Sequence, residues 1–253
     1  MRQLSASRLA VAAECTHFLR PDVVVDERPS YASRAGSAFH SSCEAWLRAP
    51  GKPVDLRAIA KGERLTDRQL EVLTAQHERW LSWLGGQDPT VVASMRPEVP
   101  MAWTPATDTA VELESAGHRD YSKAQPGDIT GTADAVGMWD ASTWALWDWK
   151  AGRSYVPPGE QNPQLRGLGL MAARKHGATR VRVSVVRVSE VDCYELPYTM
   201  DLLDLDAEAQ SLRRIAARVR PDAEPVPGDH CARCPAKATC AASAWKGKKE
   251  AAA

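Results

Sequence analysis

The chain has 253 residues, 44% hydrophobic and 25% charged, close to a soluble globular average and unlike a disordered or fibrous chain. Lys plus Arg and Asp plus Glu each total 32, so the net charge is zero and a nucleic-acid partner would need a local basic groove. No run approaches the ~18 apolar residues of a membrane helix, and Arg8 and Glu14 break the N-terminal apolar stretch, which points to a cytoplasmic protein with no membrane partner.

Ser5 or Ser7 caps a first helix, expected to reach about residue 19, with Leu4, Leu9 and Val11 on its apolar side. A second helix is expected over 33–47, ended by the Pro- and Gly-containing run at 49–53. Residues 67–84 have helical periodicity, with Leu70, Leu73, His77, Trp80, Leu81 and Leu84 on one side and Gly85 and Gly86 as the stop. From 90 to 103 the pattern turns β-like; Pro97 and Pro100 make it a bent or edge strand, with 109–114 as a partner. After a polar loop at 115–126, residues 128–139 and 143–149 read as a hairpin turning at 140–142. A helix over 164–176 follows. Residues 180–188 form the clearest strand, with Val181, Val183 and Val185 on one face, and 201–219 is a further helix. The final Lys-Gly-Lys-Lys-Glu-Ala-Ala-Ala reads as a frayed end. The order implies an α/β fold: a small mixed central β-sheet flanked by helices. We read 1–253 as a single domain, with an N-terminal helical part (1–89), an α/β core (90–220) and a cysteine-rich extension (221–253).

The hairpin carries the densest chemistry. Asp134 ends a Gly-Thr-Ala-Asp run in its first strand, and Asp148-Trp149-Lys150 ends its second. A carboxylate inside an apolar strand is costly unless it is paired or metal-bound. Strand alternation puts Asp148 and Lys150 on one face, and the hairpin can bring Asp134 alongside. Two carboxylates so placed chelate a divalent cation, and the lysine can hold a water or neutralise developing charge, which suits metal-assisted phosphodiester hydrolysis. Asp-x-Lys alone recurs by chance, so a solvated strand end is the bland reading of the same residues. Trp139, Trp144, Trp147 and Trp149 are read as sheet packing, with Trp149 pointing away from its two neighbours.

Six cysteines are too few for a secreted disulfide scaffold of this length. Two residues separate Cys231 from Cys234 and five separate Cys234 from Cys240. Such spacing fits a metal centre whose fourth ligand is either the adjacent His230 or the remote Cys15. Spacing alone leaves zinc and iron–sulfur open. Cys43 and Cys193 read as small buried hydrophobes.

Taken in order, these segments resemble the RecB-type members of the PD-(D/E)XK nuclease superfamily, with the AddB-type, CRISPR-associated and phage-encoded iron–sulfur exonucleases. The resemblance spans roughly residues 4–243. SASRLAVAAEC is similar to the opening helix that delivers the first cysteine, and AGSAFHSSCEAWL to the helix carrying a Gly-x-x-x-His segment, here Gly36 and His40 followed by Glu44. GTAD supplies Asp134 and DWK supplies Asp148 and Lys150. NPQLRGL resembles the Gln-motif helix and supplies Gln164, with Leu168 where that motif has tyrosine; Tyr155 is an aromatic nearby.

The resemblance implies a restriction-endonuclease-like core and Mg2+ or Mn2+ held by His40, Asp134, Asp148 and the backbone carbonyl of Trp149. Lys150 would position the water and Gln164 would touch DNA. It also implies a [4Fe-4S] cluster on Cys15, Cys231, Cys234 and Cys240, with zinc as the lesser alternative and Cys15 rather than His230 as fourth ligand. The implied activity is a metal-dependent DNA exonuclease working on single-stranded or end-containing DNA in recombination, repair or phage replication, beside a recombinase or helicase. The alternative is a catalytically inactive zinc- or cluster-stapled DNA-binding or assembly module. Glu44 either orients His40 or is solvated. Glu98 reads as an ordinary strand-end residue, with a carboxylate for the site as the second reading. Arg166, Arg174, Lys175, Arg180 and Arg182 read equally as a phosphate track and as solvated faces.

Overall fold

The computed structural model describes residues 1–26, 31–114, 120–152 and 156–244. Among them, seven strands form one mixed sheet: β1 (Leu4–Ser5), β2 (Arg96–Thr104), β3 (Thr109–Glu112), β4 (Ile129–Met138), β5 (Trp144–Ala151), β6 (Val181–Val188) and β7 (Cys193–Met200). The order is β3-β2-β4-β5-β6-β7, with β1 pairing with β4 in parallel. β5 and β6 are parallel and the other neighbours antiparallel. The helices are α1 (Leu9–Ala12), α2 (Tyr31–Arg48), α3 (Leu56–Gly62), α4 (Asp67–Gly85), α5 (Pro89–Ser94), α6 (Pro163–His176) and α7 (Leu202–Ala217).

The sheet separates two cores. On one face Leu9, Leu165, Leu168, Leu205 and Leu212, from α1, α6 and α7, cover Val99, Met101, Ile129 and the Val181, Val183 and Val185 row. On the other, Phe39, Leu73, Trp80 and Val91, from α2, α4 and α5, cover Trp147, Trp149, Val186 and Val188. Strand alternation along β5 decides the division: Leu146 faces the first core and Trp147 and Trp149 the second. Local signals start the main helices. Thr66 and Gln69 form a capping box for α4, and Asp201 and Asp204 form one for α7. Asn162 accepts from the Gln164 and Leu165 amides to start α6, with Pro163 in its first turn.

The structure corrects several expectations. The first helix is only four residues long, and Cys15 follows it outside regular helix. Residues 90–94 belong to α5, because Asp88 caps it and Pro89 starts it, and this outweighs the β-branched Thr90, Val91 and Val92. β7 was not expected, since Pro197 sits within it; as the last strand in the order it tolerates the missing amide. The sheet is accordingly larger than the small one expected. Residues 115–119, Tyr155 and the terminal tail lie outside the described residues. Among the described residues no helix is long and apolar enough to cross a membrane.

Candidate active site

The site forms where the pairing of β4 fails. On one edge β4 is paired with β2 from Trp103↔Ile129 to Arg96↔Val136, with the ladder interrupted at Glu98 and Asp134. Its other edge is covered by β1 at Ile129 and Thr130, and by β5 from Ala135 onward. Residues 131–134 are left between them as a notch. Side-chain parity shifts here too: Ile129 and Ala133 face the first core, Ala135 the second, and Val136 the first again. Across from Asp134 in the β2 register lies Glu98, whose φ of 49° is in the left-handed region. Such a backbone is costly for a residue with a side chain, and it tends to occur at functional sites.

Because β5 splays away at the notch, the Trp149 amide has no strand partner on that side. It donates instead to Asp134 Oδ2 at 2.7 Å. His40, reaching down from α2, places Nδ1 3.2 Å from Asp134 Oδ1. Lys150 Nζ binds both oxygens of Asp148, at 2.9 and 2.8 Å, and Gln164 Nε2 at the start of α6 donates to Asp148 Oδ1 at 3.3 Å. The site therefore draws on both helical layers. Asp134 and Asp148 are 6% and 2% exposed, so water reaches them past the partly open His40 and Lys150.

The two carboxylates are driven apart electrically. Burial would raise both. For Asp134 the His40 charge and hydrogen bond, Lys150 and the Trp149 amide outweigh it, and the carboxyl is held below its ordinary value. For Asp148 burial wins over Lys150, and nearby Asp134 adds to the rise. Burial lowers the His40 value, but the Asp134 charge and hydrogen bond more than offset it, so the imidazole is held above its ordinary value.

His40, Glu98 and Asp134 each offer a ligand atom within 4.8 Å of one another's. Glu98, first read as an ordinary strand-end residue, thus stands in the tight ligand group. The residue signal was slight, because its placement depends on the β2–β4 register and on a positive φ. Asp148 lies outside that compact trio, close enough for its charge to act on Asp134. Trp149 contributes its amide to the site, and its ring packs on Trp80 and Trp83 in the second core. Glu44 is bonded to Arg48 at 2.9 Å, and shares with His40 a surface cleft of about 470 Å³. A larger cavity of about 610 Å³ lies by Met1, Arg2 and Gln125 and holds none of these residues.

Three arginines of the expected track, Arg166, Arg174 and Arg182, are engaged elsewhere. Arg166 pairs with Glu208 at 2.8 Å, Arg174 with Asp206 at 2.8 Å and Arg182 with Glu195 at 3.0 Å. Arg174 also sits about 15 Å along α6 from Gln164. Leu168 is fully buried, with its side chain against Gly131.

Four of the cysteines lie on the segments that meet at the junction of the chain ends. Cys15 is buried, and Val226 donates its amide to the Cys15 sulfur at 3.4 Å. Burial raises the Cys234 thiol above its ordinary value, and Cys15, Cys231 and Cys240 add to the rise. His230 is also buried, its Nε2 3.8 Å from Cys231 Sγ. Cys43 is fully buried and Cys193 half-buried in the second core, as expected of small hydrophobes.

A family model for the PD-(D/E)XK nuclease superfamily matches residues 3–241. No curated protein matches the sequence. A solved structure described as the crystal structure of SSO0001 is similar at 14% identity over 96% of this chain and 87% of that one, with a TM-score of 0.37, too slight a likeness to carry an argument.

Proposed function

This chain belongs to the PD-(D/E)XK nuclease superfamily, and on that premise we propose that it is a divalent-metal-dependent DNA nuclease, an exonuclease acting on single-stranded or resected ends. The observation that carries the reading is the notch, where two buried carboxylates, a histidine and a lysine meet from three separate segments. The donor set fits Mg2+ or Mn2+, which take carboxylate oxygens readily, and imidazole suits the softer of the two. His40, Glu98 and Asp134 would hold the ion, with Asp148 and the Trp149 carbonyl beside them. When bound, the ion polarises the phosphodiester and acidifies a water.

The chain's own groups do the rest. The Trp149 amide fixes the Asp134 carboxylate, and Gln164 steadies Asp148 from the opposite layer. Lys150 carries an ammonium partly open to solvent, able to hold the attacking water or meet charge on the phosphate. His40 must lose any proton to act as a ligand, and in the metal-free protein its pairing with Asp134 favours the imidazolium.

The same reading includes a [4Fe-4S] cluster on Cys15, Cys231, Cys234 and Cys240. Four thiols and an amide donating to Cys15 support it. When bound, the cluster ties the N-terminal segment to the C-terminal one. Such an enzyme would serve recombination, repair or phage replication, with a helicase or recombinase supplying ends.

The test is anaerobic purification followed by incubation with Mg2+ or Mn2+ and DNA labelled at either end. The expected result is brown protein that releases nucleotides from ends. No cleavage with either ion would leave an inactive DNA-binding or assembly module, and colourless protein with one zinc per chain would replace the cluster.

A further inference from the structure

Arg187 lies one strand from Lys150, and nothing in the metal chemistry uses it. β5 and β6 run parallel, with Asp148 opposite Val185 and Lys150 opposite Arg187. Neighbouring strands are about 4.8 Å apart, so the two cations leave the sheet side by side. Alternation settles the face. Val181, Val183 and Val185 pack into the first core, and Val186 and Val188 into the second, so Arg187 stands on the side of Val185. By the same alternation that is the side of Leu146, Asp148 and Lys150, and Gln164 reaches Asp148 from it. On β7 the register continues to Tyr194, which is 42% exposed. The row Lys150, Arg187, Tyr194 therefore runs from the notch to the open edge of the sheet.

The Arg187 guanidinium has no partner in the protein. Among the described residues its side chain makes no hydrogen bond, ion pair or ring contact. None of its nitrogens is a buried atom without a partner, so the group meets water although the residue is half-buried. Arg182, five residues earlier and on the opposite face, is held by Glu195 at 3.0 Å and lies over the Trp139 ring at 4.0 Å. Arg166 and Arg174 are held by Glu208 and Asp206. A half-buried guanidinium has lost part of its hydration, and here no carboxylate offsets the loss. Such a group suits an anion brought from outside.

The sheet thus orders charge across its strands. Glu98 on β2 and Asp134 on β4 belong to the ligand group, Asp148 and Lys150 follow on β5, and Arg187 adds an uncompensated cation on β6. The reacting phosphate belongs at the ion and Lys150. The next phosphate of the same strand can then lie over β6, where the planar fork of an arginine meets two of its oxygens at once.

We propose that Arg187 is a substrate-binding residue that holds the phosphate next to the scissile one, on the β6 side of Lys150. The proposal rests on the nuclease reading above and adds a requirement on the substrate: a strand with a second phosphate fills the site, and a lone diester does not.

The test compares Arg187→Gln and Arg187→Lys. Binding is read by fluorescence anisotropy of a labelled oligo(dT) single strand over a range of salt concentrations. An Asp134→Asn background, altered two strands away, keeps the strand uncut. The expected result is that Arg187→Gln weakens binding about tenfold, the scale of one charge-assisted contact, and makes the slope of log affinity against log salt shallower by about 0.7, the share of one phosphate on a single strand. Arg187→Lys, which keeps the charge without the fork, should fall between Arg187→Gln and the parent. In the otherwise wild-type protein, Mn2+-dependent hydrolysis of bis(p-nitrophenyl) phosphate, which has one phosphate, should change less than about twofold in Arg187→Gln. Unchanged oligo(dT) affinity overturns the proposal, and so does a weakened affinity with the salt slope intact, since no phosphate contact would have been lost. An equal loss on the small diester also overturns it, because Arg187 would then act on the reacting phosphate or prop β5. A wild-type protein that hydrolyses neither substrate and does not bind oligo(dT) removes the nuclease reading and this proposal together, an outcome distinct from the others.

Discussion

The notch and the junction of the chain ends both gather residues remote in sequence, but by opposite means. In the notch, charged groups are held by other charged groups inside a gap in the sheet: Lys150 on Asp148 and His40 on Asp134. At the junction the ties run mostly from side chains to backbone carbonyls: Thr16 to Arg218 O at 2.7 Å, Arg218 to Ala12 O at 2.8 Å, and Thr239 to Val24 O at 2.7 Å. A gap in a ladder leaves an amide to hold a carboxylate, and that fixes chemistry to about one bond length. A lacing of separate bonds to backbone carbonyls tolerates the loss of any one member. On the proposed reading, function should therefore fail sharply at the notch, and the proposed metal centre at the junction should fail without erasing the candidate active site.

The largest effect tests that separation directly. Lys150→Ala removes the group proposed to hold the water and should lower the rate of DNA cleavage about a thousandfold or more, with iron content and melting temperature kept. Cys15→Ala should do the reverse, losing iron and brown colour and lowering stability, while His230→Ala keeps both. Iron retained in Cys15→Ala, or lost in Lys150→Ala, would break the comparison.

Next in size is the assignment inside the notch. Glu98→Gln keeps shape and removes charge from the compact ligand group, and should weaken Mn2+ binding by about tenfold or more in a calorimetric titration. Glu44→Gln, whose carboxylate is occupied by Arg48, should leave Mn2+ affinity unchanged. The opposite ranking would return Glu98 to an ordinary strand position.

These tests follow the line between what the residues disclosed and what they hid. Asp134, Asp148 and Lys150 were legible because a charge in an apolar strand is conspicuous and the hairpin is local. The strand around Val183 and the capped helices were legible for the same reason, since one short window held the whole signal. Glu98 was not, because it joins the site through a register with a strand over thirty residues away. The helix at residue 90 was hidden by three β-branched residues, although the Asp88-Pro89 start was there to read. β7 was hidden by Pro197, and its place at the sheet edge is a tertiary fact. The cysteine spacing suggested a centre, while any part for Cys15 depends on how the ends fold together.

A smaller effect concerns how tightly the notch is backed. An added Cβ at Gly131 would lie 2.7 Å from Leu168 Cδ2 and 2.8 Å from Ala6 Cβ. Gly131→Ala should destabilise by about 1–3 kcal/mol, and the loss in Gly131→Ala with Leu168→Ala should be smaller than the sum of the two single losses, since one of the two clashing side chains is gone. Additive losses in denaturant melts would show that backbone strain, not the contact, sets the cost.

The smallest effect distinguishes the notch from the helical layer behind it through two histidines. His77 on α4 is 5% exposed, with Nδ1 3.1 Å from Ser42 Oγ; that hydroxyl donates to Phe39 O at 2.7 Å and so accepts from His77. Burial lowers the His77 value, with Glu78 opposing only weakly. The folded chain thus resists a proton that the unfolded chain accepts below about 6.5. The stability that neutral His77 contributes is fully present above that pH and is lost as pH falls through it toward the folded value. His40 in the metal-free protein has the opposite sign, because its value is raised; its contribution is full below about 6.5 and lost as pH rises through the folded value. His77→Gln retains an amide able to reach Ser42 but does not titrate. Between pH 7.5 and 5.5, wild-type stability should therefore fall relative to His77→Gln when both are measured without metal. A constant difference across that range would mean that His77 is already exposed to protons in the folded state, and that the layer behind the notch is less dry than its packing implies.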